Sequence, residues 1–186
     1  MAIFFTSDSH FGHANIIKYC NRPFSSVAEM DREMIEQWNK VVTMYDTVYH
    51  LGDFCFSAHA PYFNQLNGNK FLILGNHDTL NNARTAAWKN IYDYFELRTV
   101  SPENKKESYV LMHYAMRVWN KSHHGAFHLY GHSHSELEGQ PWGRSMDAGV
   151  DNAYKIFGQF RPFSIDEVRE ILTPREYGLH HANNKD

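Results

Sequence analysis

The chain is poor in cysteine. Cys20 and Cys55 are the only two in 186 residues, and they form neither a disulfide framework nor a CxxC motif. That excludes a stapled secreted module and reads both as reduced, small apolar residues. Long apolar runs are missing too. No stretch approaches the ~20 residues of a membrane span, and the run Ile3-Phe4-Phe5 meets Asp8 too soon for a leader peptide. A cytoplasmic protein with no membrane partner is therefore expected. Nor is there a surplus of positive charge: 18 Lys+Arg against 21 Asp+Glu leave a net charge of −3. Extended nucleic acid is not an expected partner, whereas a small phosphorylated ligand is compatible, because bound cations would reverse the local sign. Repeats, low-complexity segments and linkers are also absent. With 42% hydrophobic and 21% charged residues, the sequence reads as one domain over 1–186, with a polar tail at 180–186 expected to fray.

Histidine is what the chain has in excess, 13 of them, and their positions follow a pattern. Helix-period stretches alternate with short apolar runs, which predicts a mixed α/β core. In 25–42, Ser26 and Glu29 have capping-box spacing ahead of an apolar face containing Met30, Met34 and Trp38. Ser164 and Glu167 open a second helix, and 79–89 reads as another. Five apolar runs are predicted strands: Ile3 to Phe5, 47–51, 70–74, 109–112 and 126–130. Each runs into residues able to bind a metal: Asp8-Ser9-His10, Gly52-Asp53, Gly75-Asn76-His77-Asp78, His113, and Gly131-His132-Ser133-His134. Ligands of α/β sheets bind beyond the carboxyl ends of strands. Glycine ahead of the polar group in three of these permits tight turns and close backbone approach.

Asp8, His10, Asp53, Asn76, His113, His132 and His134 pool seven oxygen and nitrogen donors with no thiolate. That is too many for one tetrahedral zinc, and it suits two borderline divalent ions sharing a carboxylate. Such a pair, ~3.5–4 Å apart, holds a hydroxide at neutral pH and clamps a phosphoryl group for in-line displacement. His77, beside a ligand but outside the pool, is free to protonate the leaving oxygen, and Asp78 is expected to orient and polarise it.

In order and spacing, these five blocks resemble the motif series of calcineurin-like metallophosphoesterases. The stretch SDSHFGHANII followed by CNRPF is similar to small bacterial and phage members. The resemblance implies an α/β fold, a two-layer β-sandwich flanked by helices. It implies one ion on Asp8, His10 and His134, another on Asn76, His113 and His132, Asp53 as the bridge and His77 as general acid. Mn²⁺ is the expected metal, with Fe, Ni or Zn as alternatives. It further implies a metal-dependent hydrolase in which a metal-bridging hydroxide attacks a small phosphoester substrate.

The chain departs from the protein-phosphatase pattern, because Phe54-Cys55-Phe56-Ser57 follows Asp53 where an Asp-Arg pair is expected. A phosphodiester, nucleotide-derived esters included, is therefore favoured over a monoester. Phosphate-facing charge must come from Arg22, Arg117, Lys121 or Arg144, with Arg22 first on resemblance. His13 is expected to line the substrate pocket, His50 and His128 to be core imidazoles, and His123 and His124 to be solvated loop residues. Asp147 and Asp151 either buttress ligands or cap turns. The aromatics are read mostly as core, with one or two near the site, such as Phe54 or Tyr114, as candidates to stack on a base. The competing readings are a phosphomonoesterase, a binding module that kept the fold, and another metal hydrolase. An HxH hydrolase normally carries that motif near its N-terminus, and an HD pair sits in an all-α domain; neither context matches.

Overall fold

The computed structural model describes residues 1–139 and 142–177; the tail at 180–186, with His180 and His181, lies outside them. In chain order the first half contains β1 (Ile3–Thr6), α1 (Ala14–Tyr19), α2 (Val27–Val41), β2 (Thr47–His50), α3 (Ala60–Phe63), β3 (Asn69–Ile73), α4 (Leu80–Ala83) and β4 (Ile91–Tyr92). The second half contains β5 (Tyr94–Val100), β6 (Lys106–Met112), β7 (Phe127–Tyr130), β8 (Ser145–Asp147), α5 (Val150–Phe157), β9 (Phe163–Ser164) and α6 (Ile165–Leu172). The strands form two sheets, ordered β4-β3-β2-β1-β9 and β5-β6-β7-β8.

Each sheet is mixed. β1 to β4 pair in parallel with β9 antiparallel at the edge, and β6, β7 and β8 pair in parallel with β5 antiparallel. The sheets pack face to face: Phe5, Tyr49, Leu51, Ile73 and Phe163 from the first share one buried cluster with Tyr109, Leu111, Phe127, Leu129 and Met146 from the second. Strand alternation supplies the other face, where Phe4, Val48 and Leu72 meet Met30, Met34 and Trp38 of α2. The α/β sandwich flanked by helices is thus what the chain adopts. Among the described residues no helix is long and apolar enough to cross a membrane.

Local chemistry explains the helix starts. Ser164 and Glu167 form a full capping box at α6. At α2 only half the box forms: Ser26 Oγ accepts from the Glu29 N–H at 3.2 Å, but the Glu29 carboxylate accepts from the Ser25 N–H at 2.7 Å instead of reaching Ser26. The helix expected over 79–89 shortens to α4, because Trp88 leaves the helical path to pack, 9% exposed, in the core under α3. β5, β8 and α5 have no counterpart in the sequence reading, and β6 begins ahead of the strand expected over 109–112.

Because β1, β2, β3, β6 and β7 all run parallel to a sheet neighbour, their carboxyl ends share one rim. Parallel pairing persists past the strand ends there. The N–H groups of Asp8, His10 and Phe11 donate to the carbonyls of Gly52, Asp53 and Phe54 at 2.9, 3.0 and 2.9 Å. Gly131 N–H donates to the His113 carbonyl at 2.9 Å, tying the loops of the second sheet together in the same way.

Candidate metal centre

Five of the seven expected donors sit in the left-handed backbone region: Asp8 (φ 56°), His10 (50°), Asp53 (56°), His132 (65°) and His134 (46°). Only a few per cent of non-glycine residues adopt it, Asp and His more readily than most. Each left-handed residue turns the chain sharply after a strand and returns its side chain over the sheet end. The glycines alongside leave the room required. A Cβ on Gly75 would overlap the Asp53 carboxylate, and one on Gly131 would overlap Ser7 Oγ and the Asp8 carboxylate.

The seven donors converge as two adjoining groups. Asp8, His10 and His134 each offer a ligand atom within 4.8 Å of the others, and Asp53, His113 and His132 do the same. Asn76 joins the second, its Oδ1 3.0 Å from His113 Nε2. Asp53 Oδ2 lies 3.7 Å from His10 Nε2 and 3.5 Å from His113 Nε2, so one oxygen faces both groups.

The electrostatics fit a cation in each. Both ring nitrogens of His10 are buried without a hydrogen-bond partner, and burial drives its pKa down to about 2, leaving a neutral imidazole. An unpartnered buried imidazole aimed at two carboxylates is costly unless something positive lies between them. His113 Nδ1 is held by the Leu51 carbonyl at 2.7 Å, which directs Nε2 towards Asp53 and Asn76. Burial lowers the His113 pKa, but Asp53, Asp8 and that carbonyl together raise it above the ordinary value. His134 Nδ1 meets Asp151 Oδ2 at 2.7 Å. Burial opposes its protonation, yet Asp151, Cys20 and Asp8 push the pKa up to about 11. A ligand histidine oriented by a carboxylate is a recurrent second layer of metal sites. Asp53 is itself pushed up by burial and pulled further down, to about 2, by His113 and the His77 N–H. Burial beside Asp147 raises Asp8 instead. The residues present therefore suit two divalent ions.

Three expectations need correction. Arg22 does not face a phosphate. Its side chain is fully covered; Nε and Nη2 donate to the Asp151 carboxylate at 2.8 and 2.9 Å, Nη2 to the Asp8 carbonyl at 2.7 Å and Nη1 to the Ser9 carbonyl at 3.0 Å. Asp78 does not orient His77. Its carboxylate accepts from the backbone N–H groups of Asp53 (2.8 Å), Phe54 (3.0 Å) and Gly75 (3.0 Å), and lies 3.5 Å from His59 Nε2. Phe54 is 0% exposed in the core and cannot stack on a ligand.

His77 stands at the rim, exposed, with its N–H donating to Asp53 Oδ1 at 2.9 Å and its ring 5.6 Å from that of His10. His13, half-buried, lines the same cavity of about 860 Å³ as His10, His77, His132 and His134. Of the other proposed cations, Lys121 and Arg144 border a separate cavity and Arg117 another; the lysine at the metal-side cavity is Lys155. His50 bonds Ser9 Oγ at 2.9 Å, and His128 is held by Val110 and Met116, as core imidazoles. Of the two readings for Asp147 and Asp151, Asp151 buttresses a ligand by holding His134, while Asp147 does both: it holds Ser133 Oγ and the Ser135 N–H at 2.6 and 2.8 Å and caps its own turn through the Gly149 N–H at 2.6 Å. Asp147 ends the short strand β8 and Asp151 stands in the first turn of α5, and nothing local in SMDAGVD showed that both would be buried.

Comparison with known proteins agrees with this geometry. The model of the calcineurin-like phosphoesterase family matches residues 1–157. An uncharacterised protein of Methanocaldococcus jannaschii is 31% identical, over 91% of this chain and 90% of its own length. The gene 66 protein of Mycobacterium phage D29 is 26% identical, over 95% and 98%. The crystal structure of a protein of unknown function from Aquifex aeolicus superposes with a TM-score of 0.68 at 22% identity, covering 91% of this chain and 98% of that one, and shares the fold. With the family's model matched across the whole of the ligand-bearing rim, this chain belongs to the calcineurin-like phosphoesterases.

Proposed function

We propose that the protein hydrolyses phosphodiesters, nucleotide-derived ones among them, with two divalent ions held as above and Mn²⁺ as the first choice. The observation that supports this reading is Asp53 Oδ2, which lies within 3.7 Å of an imidazole from each donor group and would serve both ions. When bound, two such ions supply a nucleophile at neutral pH, Lewis acidity and charge for the phosphoryl oxygens.

The chain's own residues do the rest. Asp53 offsets the repulsion between the two sites. His77, outside both groups but on the rim, donates a proton to the leaving oxygen. Asp78 and Asp147 hold the turns that carry the ligands, and Asp151 fixes the ring of His134. A diester is favoured because a monoester brings a further negative charge, and the guanidinium nearest the site, Arg22, is committed to protein acceptors.

The test is hydrolysis of bis(p-nitrophenyl) phosphate against p-nitrophenyl phosphate by protein loaded with Mn²⁺, with bound metal counted by elemental analysis. Two ions per chain and faster diester turnover are expected, and Asp53→Asn should lose both ions and nearly all activity. Maximal activity with one ion, or Asp53→Asn retaining both ions and normal turnover, would overturn the dinuclear reading. Faster monoester turnover would overturn the diester preference, and no turnover of either ester would leave a binding module.

A further inference from the structure

The cavity that adjoins the metal-candidate groups is much larger than a phosphate needs. At about 860 Å³ it lies in the range of whole-ligand pockets, ~300–1,000 Å³. A phosphoryl group near Asp53 would occupy only the wall formed by His10, His77, His132 and His134. The remaining space runs between α1, the loop carrying Phe56, and α5, and its walls are aromatic.

Three large aromatic residues that line this cavity are exposed to solvent: Tyr19 (72%), Phe56 (45%) and Tyr154 (38%). Two of them are backed. The Phe56 ring packs on His13 at 4.3 Å and on His77 at 4.6 Å. The Tyr154 ring stacks on Phe160 at 4.4 Å and 13°, and Phe160 is itself buried. An aromatic side chain held by a neighbour and still open to solvent is a platform ordered before anything binds, so stacking on it costs little further entropy. Asn21, Glu136 and Lys155 add hydrogen-bonding groups to the same cavity.

We propose that this cavity is a nucleobase pocket, with Tyr154 as the stacking platform for the base of a nucleoside phosphodiester. The inference rests on the phosphoesterase reading above and names its substrate class. Phosphorylated small molecules that carry a flat aromatic group are chiefly nucleotides. In them a ribose separates the base from the phosphorus, so the base reaches past the phosphoryl wall into the rest of the cavity, which Tyr154 of α5 lines. An aryl group bonded directly to the phosphate oxygen, as in a phosphotyrosine, would meet Phe56 and leave the α5 wall unused. Tyr154 is therefore assigned as a specificity-determining residue.

The test compares two diesters with the same leaving group: the p-nitrophenyl ester of thymidine 5′-monophosphate and methyl p-nitrophenyl phosphate, both with full-length protein and Mn²⁺. Base stacking of ordinary strength predicts a KM roughly tenfold lower for the thymidine ester. Tyr154→Ala, and the bulk-retaining Tyr154→Leu, should raise that KM about tenfold while leaving the methyl ester unchanged. Equal KM values for the two esters, or variants that impair both equally, would overturn the pocket while leaving the phosphoesterase reading intact. Turnover of neither ester would instead overturn that reading. Calorimetric titration with thymidine 5′-monophosphate and with methyl phosphate then decides the pocket. Tighter binding of the nucleotide, weakened by Tyr154→Ala, supports it, and equal binding of the two overturns it.

Discussion

Arg22 shows how one side chain can serve a site without touching what the site binds. Its guanidinium holds the carbonyls of Asp8 and Ser9 and, through Asp151, the ring of His134. One group thus fixes the loop that carries two donors and the orientation of a third. Losing a partner of a ligand histidine typically costs 10–100-fold in metal affinity. Asp151→Asn and Arg22→Met should therefore weaken the ion on Asp8, His10 and His134 by about that factor and spare the other. Calorimetric titration with Mn²⁺ checks this as two separated binding steps, and equal weakening of both ions would contradict it. His77 is the opposite case: it stands on the rim beside His10 and is proposed as a proton donor, not a ligand. His77→Ala should keep both ions and lose ~10²–10⁴-fold in kcat on an alkyl or nucleoside leaving group, and much less on p-nitrophenol, which departs without a proton. Equal losses on both substrates would count against proton donation.

Among elements, the turns after β2 and β3 act as one unit because the Asp78 carboxylate collects three N–H groups from them. Asp78→Ala leaves those donors buried without partners, at ~1–3 kcal/mol each, and should lower the urea midpoint as well as metal affinity; unchanged unfolding would show the turns to be held otherwise. β3 contains a second buried charge. Lys70, 5% exposed and facing the same side as Leu72, has its pKa lowered by burial from 10.5 to about 8. Between those values the unfolded chain binds more protons than the folded one, so stability rises with pH across that window. Below pH 8 the charged amine is a penalty that Lys70→Met removes. The variant should gain ~1–3 kcal/mol at pH 7 and lose the rise between pH 8 and 10, read by thermal unfolding at both. A destabilised variant would mean that the Phe63 ring, 4.1 Å from the amine, and the Leu66 carbonyl outweigh burial.

At the scale of the molecule, the strands bearing Asp8, Asp53, Asn76, His113 and His132 could be read from sequence, because each apolar run stops at a polar group that a sheet interior would reject. What could not be read is long-range. Arg22 and Asp151 are 129 residues apart, and nothing near either announces a buried ion pair. Asp78 follows His77 directly, yet its carboxylate belongs to the neighbouring turn; adjacency in sequence misled where tertiary hydrogen bonding decided. Of the β5–β6 hairpin only 109–112 could be read: on β5, Phe95 and Leu97 alternate with Glu96 and Arg98, but no residue of the strand is fully buried and no continuous apolar run marks it. Since both donor groups draw on both sheets, bound ions cross-link the sandwich. Addition of Mn²⁺ at 100 times its Kd should therefore stabilise the fold by about 2.7 kcal/mol per site, seen as a rise in Tm that chelation reverses. A Tm indifferent to metal would mean that the rim holds its shape without binding ions.

The left-handed donors carry a consequence for how such a chain changes over generations. Glycine adopts positive φ without the steric penalty that Asp or His meets, so at positions 8, 10, 53, 132 and 134 the residue that suits the backbone best is one that binds nothing. A change to glycine there would relieve strain, but it would leave the His132 N–H, the His77 N–H and the Asp151 carboxylate without the partners that Asp8, Asp53 and His134 provide. Backbone strain and hydrogen bonding thus pull a drifting lineage in opposite directions at those three positions. His10, whose buried ring nitrogens have no partner, is the position with no such bond to lose.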